Sequence, residues 1–121
     1  MIGLDAYKII HLAAVVGLFG AVGGVAVHAA NGLAKERNSL RGAVSALHGV
    51  SLLLILVTGF GMLARLDAGL PAWAIAKLVL WFALGALLTL PYRSPGLARP
   101  VLWALPVLGA VAAWLAIYKP F

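Results

Sequence analysis

The segment AYKIIHLAAVVGLFGAVGGVAVHAA, residues 6–30, is an apolar run of 25 residues interrupted by one lysine and two histidines. A helix needs about 20 predominantly apolar residues to cross the hydrocarbon core of a bilayer. Three further runs of this kind follow, at residues 43–66, 71–92 and 100–118. Only helices and closed barrels satisfy their backbone in lipid, and no run alternates as a strand would. We therefore predict an all-α, four-helix transmembrane bundle that forms a single domain over residues 1–121.

The composition is that of a membrane protein. The chain is 64% hydrophobic and 10% charged, whereas a soluble domain carries about 25% charged residues. It contains no cysteine, which excludes disulfides, thiolate chemistry and cysteine-ligated metal sites. The net charge of +6 comes from basic residues scattered at predicted helix ends. This scatter indicates contacts with anionic membrane lipids and argues against nucleic-acid binding.

The basic residues also predict an orientation. The loops after the first and third predicted helices carry five Lys or Arg residues, against three on the opposite side. The positive-inside rule places such basic loops in the cytoplasm. We therefore expect a multi-pass protein of a bacterial-type inner (plasma) membrane, with both termini on the outer side.

Candidate ligands for a cofactor or a metal lie at two depths of the bundle. His11 and Met62 fall near the predicted outer end, in one layer with Lys77 and Arg65, and His28 and His48 fall near the inner end. Imidazole and thioether groups ligate haem iron, and imidazole also binds copper. His11 and His28 are about 25 Å apart along one helix, so they cannot share one site. For each histidine the alternative is an interfacial side chain that contacts headgroups.

Lys77 is a charged residue inside the third predicted helix, between two tryptophans in PAWAIAKLVLW. It lies about 9 Å from the helix start, which is within a lysine's reach of the headgroups. The alternative is that Lys77 faces the bundle and binds an anionic group such as a propionate. Intramembrane ionisable residues are candidates for function, so Lys77 is also the one candidate catalytic residue.

Small residues form a stripe on the first helix, with Gly17, Gly20 and Gly24 as its glycines. Such a stripe allows another helix to approach the backbone closely. We expect these glycines to pack helices, with a homodimer through the same face. The alternative is a flat cofactor lying against the stripe.

Most enzyme templates are missing from the predicted helices. The carboxylates Asp5, Glu36 and Asp67 lie at helix ends or in loops, so no acid–base pair or hard-metal cage is expected inside the membrane. Whether the protein is an enzyme stays open, and the remaining chemistry is that of a bound cofactor.

Three motifs resemble those of small four-helix membrane proteins of the HemJ-type protoporphyrinogen oxidase, CopD copper-resistance and SirB group. That group shares a K-x-x-H in the first helix, a Thr-Gly in the second and a W-x-x-x-K in the third. The corresponding residues here are Lys8, His11, Thr58, Gly59, Trp73 and Lys77. The resemblance implies a bundle that binds haem b, with His11 as an axial ligand and Lys77 as a site residue.

The first functional interpretation is therefore a haem-b-binding membrane protein with a redox or porphyrin-handling role. His28 and His48 are a candidate inner haem pair in this interpretation, and a porphyrin or a quinone is a candidate partner. The second is a cofactor-free interaction subunit that assembles through its glycine-rich first helix. The third is a copper or small-solute permease that uses His11, Met62, His48 and His28 as stepping sites.

Overall fold

The computed structural model describes residues 3–120, and this part of the chain contains helices and no strand. The α-helices are α1 (Leu4–Ala30), α2 (Arg41–Arg65), α3 (Ala72–Ala86), α4 (Leu90–Arg93) and α5 (Ala98–Tyr118), with short 3₁₀ segments at Lys35–Arg37 and Pro95–Leu97. Three helical segments, α1, α2 and Pro95–Tyr118, are long and apolar enough to cross a membrane, while α3 is shorter. The prediction of an all-helical protein with several long apolar helices is confirmed.

The ends of α1 and α2 follow from local backbone chemistry. Gly32 adopts a φ of 79° directly after α1, and its N–H donates to the carbonyl of Ala29. This left-handed conformation stops the helix and is cheapest for glycine. After α2, Asp67 takes a φ of 51°, and the N–H of Ala68 returns to the carbonyl of Leu63. The chain therefore leaves the helical conformation at both points.

The third predicted helix, residues 71–92, is interrupted in the structure. The helix α3 ends at Ala86, residues 87–89 form a turn, and the short helix α4 follows. Pro91 is the physical reason, because it has no N–H to donate to the carbonyl of Leu87 and its ring crowds that carbonyl. Proline is tolerated in the first turn of a helix, and Pro91 occupies this position in α4.

Helix α1 is the central element of the fold. It contacts α2 most extensively, then α5 and α4, whereas α3 packs on α5 and more sparsely on α2. The core is a cluster of apolar side chains from α1, α3 and α5. Its buried members are Leu18, Val22, Ala26, Leu84, Val101 and Leu105. The sparse packing of α3 on α2 leaves room for a cavity between them.

Different segments of the chain lie at the two ends of the helical structure. Leu4 at the start of α1 and Lys119 after α5 line one cavity, together with residues of the α2–α3 connection. The connections after α1 and after α3 meet at the other end, where Asn38 contacts Tyr92. The beginning and end of the described chain therefore lie at the same end of the structure.

Candidate functional site

A cavity of about 410 Å³ lies between α1, α2, α3 and the end of α5. We call it the histidine–lysine cavity. Its polar or ligating lining residues are Lys8, His11, Met62, Trp73, Lys77, Trp81 and Lys119, and most of its other walls are aliphatic. Its volume falls within the range of about 300–1,000 Å³ that is typical of small-molecule and cofactor sites.

The His11 ring is held in one orientation by α2. Its Nδ1 lies 2.8 Å from the Oγ1 of Thr58, and the Thr58 hydroxyl donates to the carbonyl of Leu54 at 2.5 Å. The hydroxyl hydrogen is thereby committed, so Thr58 Oγ1 accepts a hydrogen bond from the Nδ1–H of His11. This assignment follows from the hydrogen-bond network. It leaves the unprotonated Nε2 of His11 as the nitrogen that can ligate a metal.

Gly59 explains why the ring fits against α2. A Cβ built on Gly59 would lie 3.7 Å from the Cε1 of His11, which is ordinary van der Waals contact. A larger side chain here would meet the imidazole. The adjacent Thr58 is 3% exposed. The Thr-Gly pair therefore supplies both the hydrogen-bond acceptor and the space for the ring.

The positive charge of the cavity comes from three lysines on different elements. Lys77 of α3 is half-buried, while Lys8 of α1 and Lys119 after α5 are exposed at the rim. The Nζ of Lys119 lies 5.6 Å from the centroid of the Trp73 ring, a cation–π distance. Among the residues that the structure describes, no Asp or Glu lines this cavity. Its electrostatics therefore favour an anionic ligand.

The sequence placed His11, Lys77, Met62 and Arg65 in one outer layer. The structure brings His11, Lys77 and Met62 to the same cavity, whereas Arg65 is outside its lining. Met62 is half-buried on α2, one turn after Thr58. A thioether and an imidazole therefore border the same space.

His48 connects α2 to α3. It is 6% exposed, and its Nε2 lies 3.2 Å from the carbonyl oxygen of Leu84, to which it donates. The indole Nε1 of Trp81 donates in the other direction, from α3 to the carbonyl of Leu52 on α2, at 3.0 Å. These two bonds hold α3 beside α2, and Trp81 also lines the cavity. The sequence identified His48 as a ligand candidate and gave no sign of this structural bond.

His28 lies in a different environment, at the other end of the structure. Its Nδ1 is 2.7 Å from the Oη of Tyr92, and the two rings meet edge-on with their centroids 5.6 Å apart. His11, His28 and His48 thus have three separate partners. Within residues 3–120 no group of three or more His, Asp or Glu side chains is placed to hold a metal ion. The pairing of His28 with His48 around a haem stays a prediction.

The three predicted packing glycines differ in their neighbours. A Cβ on Gly17 would lie 2.7 Å from Ser51 Oγ and 3.3 Å from Leu47 Cδ1, so Gly17 packs α1 on α2. Gly20 and Gly24 have nothing within 4 Å of the equivalent point. These two glycines leave an open strip on the surface of α1.

The fold and the cavity define an all-helical protein with three long apolar helices and a cationic, histidine-bearing cavity at one end. No protein-family model matches the chain, and no curated protein or solved structure matches it significantly. The functional proposal is therefore based on the cavity and on the sequence motifs that border it.

Proposed function

We propose that this chain is a four-helix membrane protein with both termini outside, and that it binds haem b in the histidine–lysine cavity. The membrane part is supported by three long apolar helices. It is also supported by exposed apolar side chains around the helices, such as Leu12, Val16, Phe82 and Trp103. Helix α3 spans about 22 Å alone, so the fourth crossing would include the turn and α4.

The observation that carries the haem proposal is the hydrogen bond between Nδ1 of His11 and the hydroxyl of Thr58. Ligating histidines commonly donate their second N–H to an oxygen acceptor, which orients the ring, and Thr58 is such an acceptor. His11 would hold the haem iron through Nε2, and Met62 is the candidate for a second ligand. When bound, haem supplies one-electron redox chemistry.

The lysines are suited to bind the propionates of a haem. Haem and related porphyrins carry two propionates, and Lys77 with Lys119 offers positive charge at the cavity wall without a competing carboxylate among its described lining residues. Lys77 would bind a propionate and thereby orient the macrocycle. The same arrangement would admit a free porphyrin, in keeping with the redox or porphyrin-handling role implied by the motifs.

An absorption spectrum of the detergent-purified protein, oxidised and dithionite-reduced and with haem added back, tests this proposal. We expect a Soret band that His11→Ala abolishes and Lys77→Ala weakens. His28→Ala and Lys35→Ala are matched controls at the other end of the structure, and they should retain the band. A protein that stays colourless after haem is added, or that loses the band in His28→Ala alone, would contradict the proposal.

A second candidate function is supported by the open strip at Gly20 and Gly24. A cofactor-free subunit could assemble through this strip, since small residues allow close helix contact in membranes. In that case Gly20→Leu would break crosslinked oligomers while His11→Ala leaves them intact. Oligomers that persist in Gly20→Leu would contradict this alternative.

A further inference from the structure

A second cavity of about 330 Å³ lies at the opposite end of the structure from the histidine–lysine cavity. It is bordered by Val25 of α1, the connection after α1, the beginning of α2 and the segment 88–93. We call it the loop cavity. We propose that the loop cavity binds a phosphate group, carried either by an anionic phospholipid or by free phosphate. This inference does not depend on haem binding.

The charge of the lining favours an anion. Lys35, Arg41 and Arg93 line the loop cavity, against one carboxylate, Glu36. The side chains of Lys35 and Arg93 have no hydrogen bond or ion pair with other described residues. Two cationic groups are thus available to a ligand. Arginine matches the oxygens of phosphate particularly well, because its planar fork can donate two parallel hydrogen bonds.

The connection after α1 is already held in shape without a ligand. Nη1 of Arg41 donates to the carbonyl of Glu36 at 3.1 Å and lies 3.4 Å from that of Asn38. The side-chain oxygen of Asn38 accepts from the N–H of Leu40 at 3.0 Å. Arg41 therefore holds the connection after α1 through Nη1 alone. Its positive charge still lines the loop cavity. A pre-formed cavity reduces the entropy lost when a ligand binds.

The far wall is fixed through Tyr92. Nδ2 of Asn38 donates to Tyr92 Oη at 3.3 Å, and the same hydroxyl is hydrogen-bonded to Nδ1 of His28 at 2.7 Å. This chain of bonds connects the loop to α1 and places Arg93 beside the cavity. It also assigns His28 a structural role at this end of the molecule.

The lining of the loop cavity combines basic and apolar residues, which suits a lipid headgroup and the start of its acyl chain. Val25 of α1, Val44 of α2 and Leu88 supply apolar walls beside the basic rim. An acyl chain would follow the apolar side, and a phosphate would meet the cations. The cytoplasmic leaflet of a membrane carries the anionic lipids, and this is the end that the positive-inside rule places in the cytoplasm.

Native mass spectrometry of the detergent-solubilised full chain tests the proposal, with phosphatidylglycerol, phosphatidylcholine and inorganic phosphate as probes. The variant Lys35→Ala/Arg93→Ala removes the two uncommitted cations. Its matched control is Arg37→Ala/Arg99→Ala, which removes the same charge at the same end but outside the cavity lining. We expect the cavity variant to weaken phosphatidylglycerol binding at least about tenfold, as for the loss of charge-assisted hydrogen bonds, and the control about twofold at most.

Competition between inorganic phosphate and phosphatidylglycerol shows whether the ligand is free phosphate or a lipid. If inorganic phosphate displaces phosphatidylglycerol and binds the cavity variant less well, free phosphate is a ligand of the site. If phosphate has no effect, the acyl chains are required and the lipid is the ligand. Glu36→Gln should keep or strengthen either binding, because it removes the one negative charge. Equal weakening in both double variants, equal binding of phosphatidylcholine, or no binding of any probe would overturn the proposal.

Discussion

At the scale of single residues, Thr58 has the largest chemical consequence. Its hydroxyl donates to the carbonyl of Leu54 and accepts from the imidazole of His11. A buried serine or threonine in a helix often bonds the carbonyl four residues earlier, and here that local bond defines which proton His11 carries. The identity of the free nitrogen of His11 thus depends on a side chain 47 positions away.

The Thr58→Val substitution should remove this control while keeping the side-chain volume. We expect it to destabilise the protein by about 1 kcal/mol, because the Nδ1–H of His11 loses its acceptor. It should also weaken the proposed haem binding about 10- to 100-fold, as for other supporting residues of metal ligands. Thr58→Ser should retain both properties. Haem titration and nitrogen NMR of the imidazole are the measurements, and wild-type affinity in Thr58→Val would contradict the role.

At the scale of elements, the pairing of α1 with α2 depends on close approach at one glycine. We expect Gly17→Val to cost about 1–3 kcal/mol of unfolding free energy in detergent, because the added methyl groups meet Ser51 and Leu47. Gly49→Val is the matched control, since nothing lies within 4 Å of a Cβ at Gly49. Equal stability of the two variants would show that this contact is unimportant.

The position of α3 beside α2 depends on polar bonds as well as on packing. Trp81 and His48 each form a hydrogen bond across the α2–α3 boundary, where contacts between the two helices are sparse. Helices in lipid gain little from burying apolar surface against each other, so such bonds and close packing determine their association. The histidine–lysine cavity exists because the two helices are held together without being packed tightly.

The Trp81→Phe substitution should therefore loosen α3 selectively. We expect faster amide hydrogen exchange in residues 72–86 than in α1, because one of two inter-helix bonds is lost, with a destabilisation of about 1 kcal/mol. Trp103→Phe is the control, since Trp103 is 77% exposed. Uniform exchange in Trp81→Phe, or the same change in Trp103→Phe, would contradict this role.

At the scale of the whole molecule, the outer surface is far more apolar than that of a soluble protein. Large apolar side chains cover the outside, while His48, Ser51 and Thr58 are buried among the helices. Exposed apolar surface of this extent needs an apolar surrounding or a partner. The two cavities lie at opposite ends, so each would face a different leaflet in the proposed membrane arrangement.

The proposed orientation can be measured by single-cysteine labelling, because the chain has no cysteine of its own. We expect Ala68→Cys, in the α2–α3 connection, to react with a membrane-impermeant maleimide on intact cells. Ala34→Cys, in the connection after α1, should react only after permeabilisation. The reverse pattern would invert the topology, and labelling of both sites on intact cells would contradict a spanning bundle.

The amino-acid sequence alone was sufficient to predict the helices, because run length and composition report directly on the cost of exposing backbone in lipid. It also indicated His11, Lys77 and Met62 as residues at one depth, since depth follows from position along a helix. The interruption at residues 87–89 was missed. Pro91, which causes the interruption, is visible in the sequence. A proline alone does not predict such a break, however, because Pro106 lies inside the continuous helix α5.

Only the tertiary structure determined how each helix is rotated and which side chains therefore meet. Rotation depends on contacts between segments far apart in sequence, such as Gly17 with Ser51 and His48 with Leu84. A uniformly apolar helix has no polar face from which its rotation could be predicted. For this reason the sequence could name three histidines, but only the fold gave each one its own partner and placed His11 at the histidine–lysine cavity.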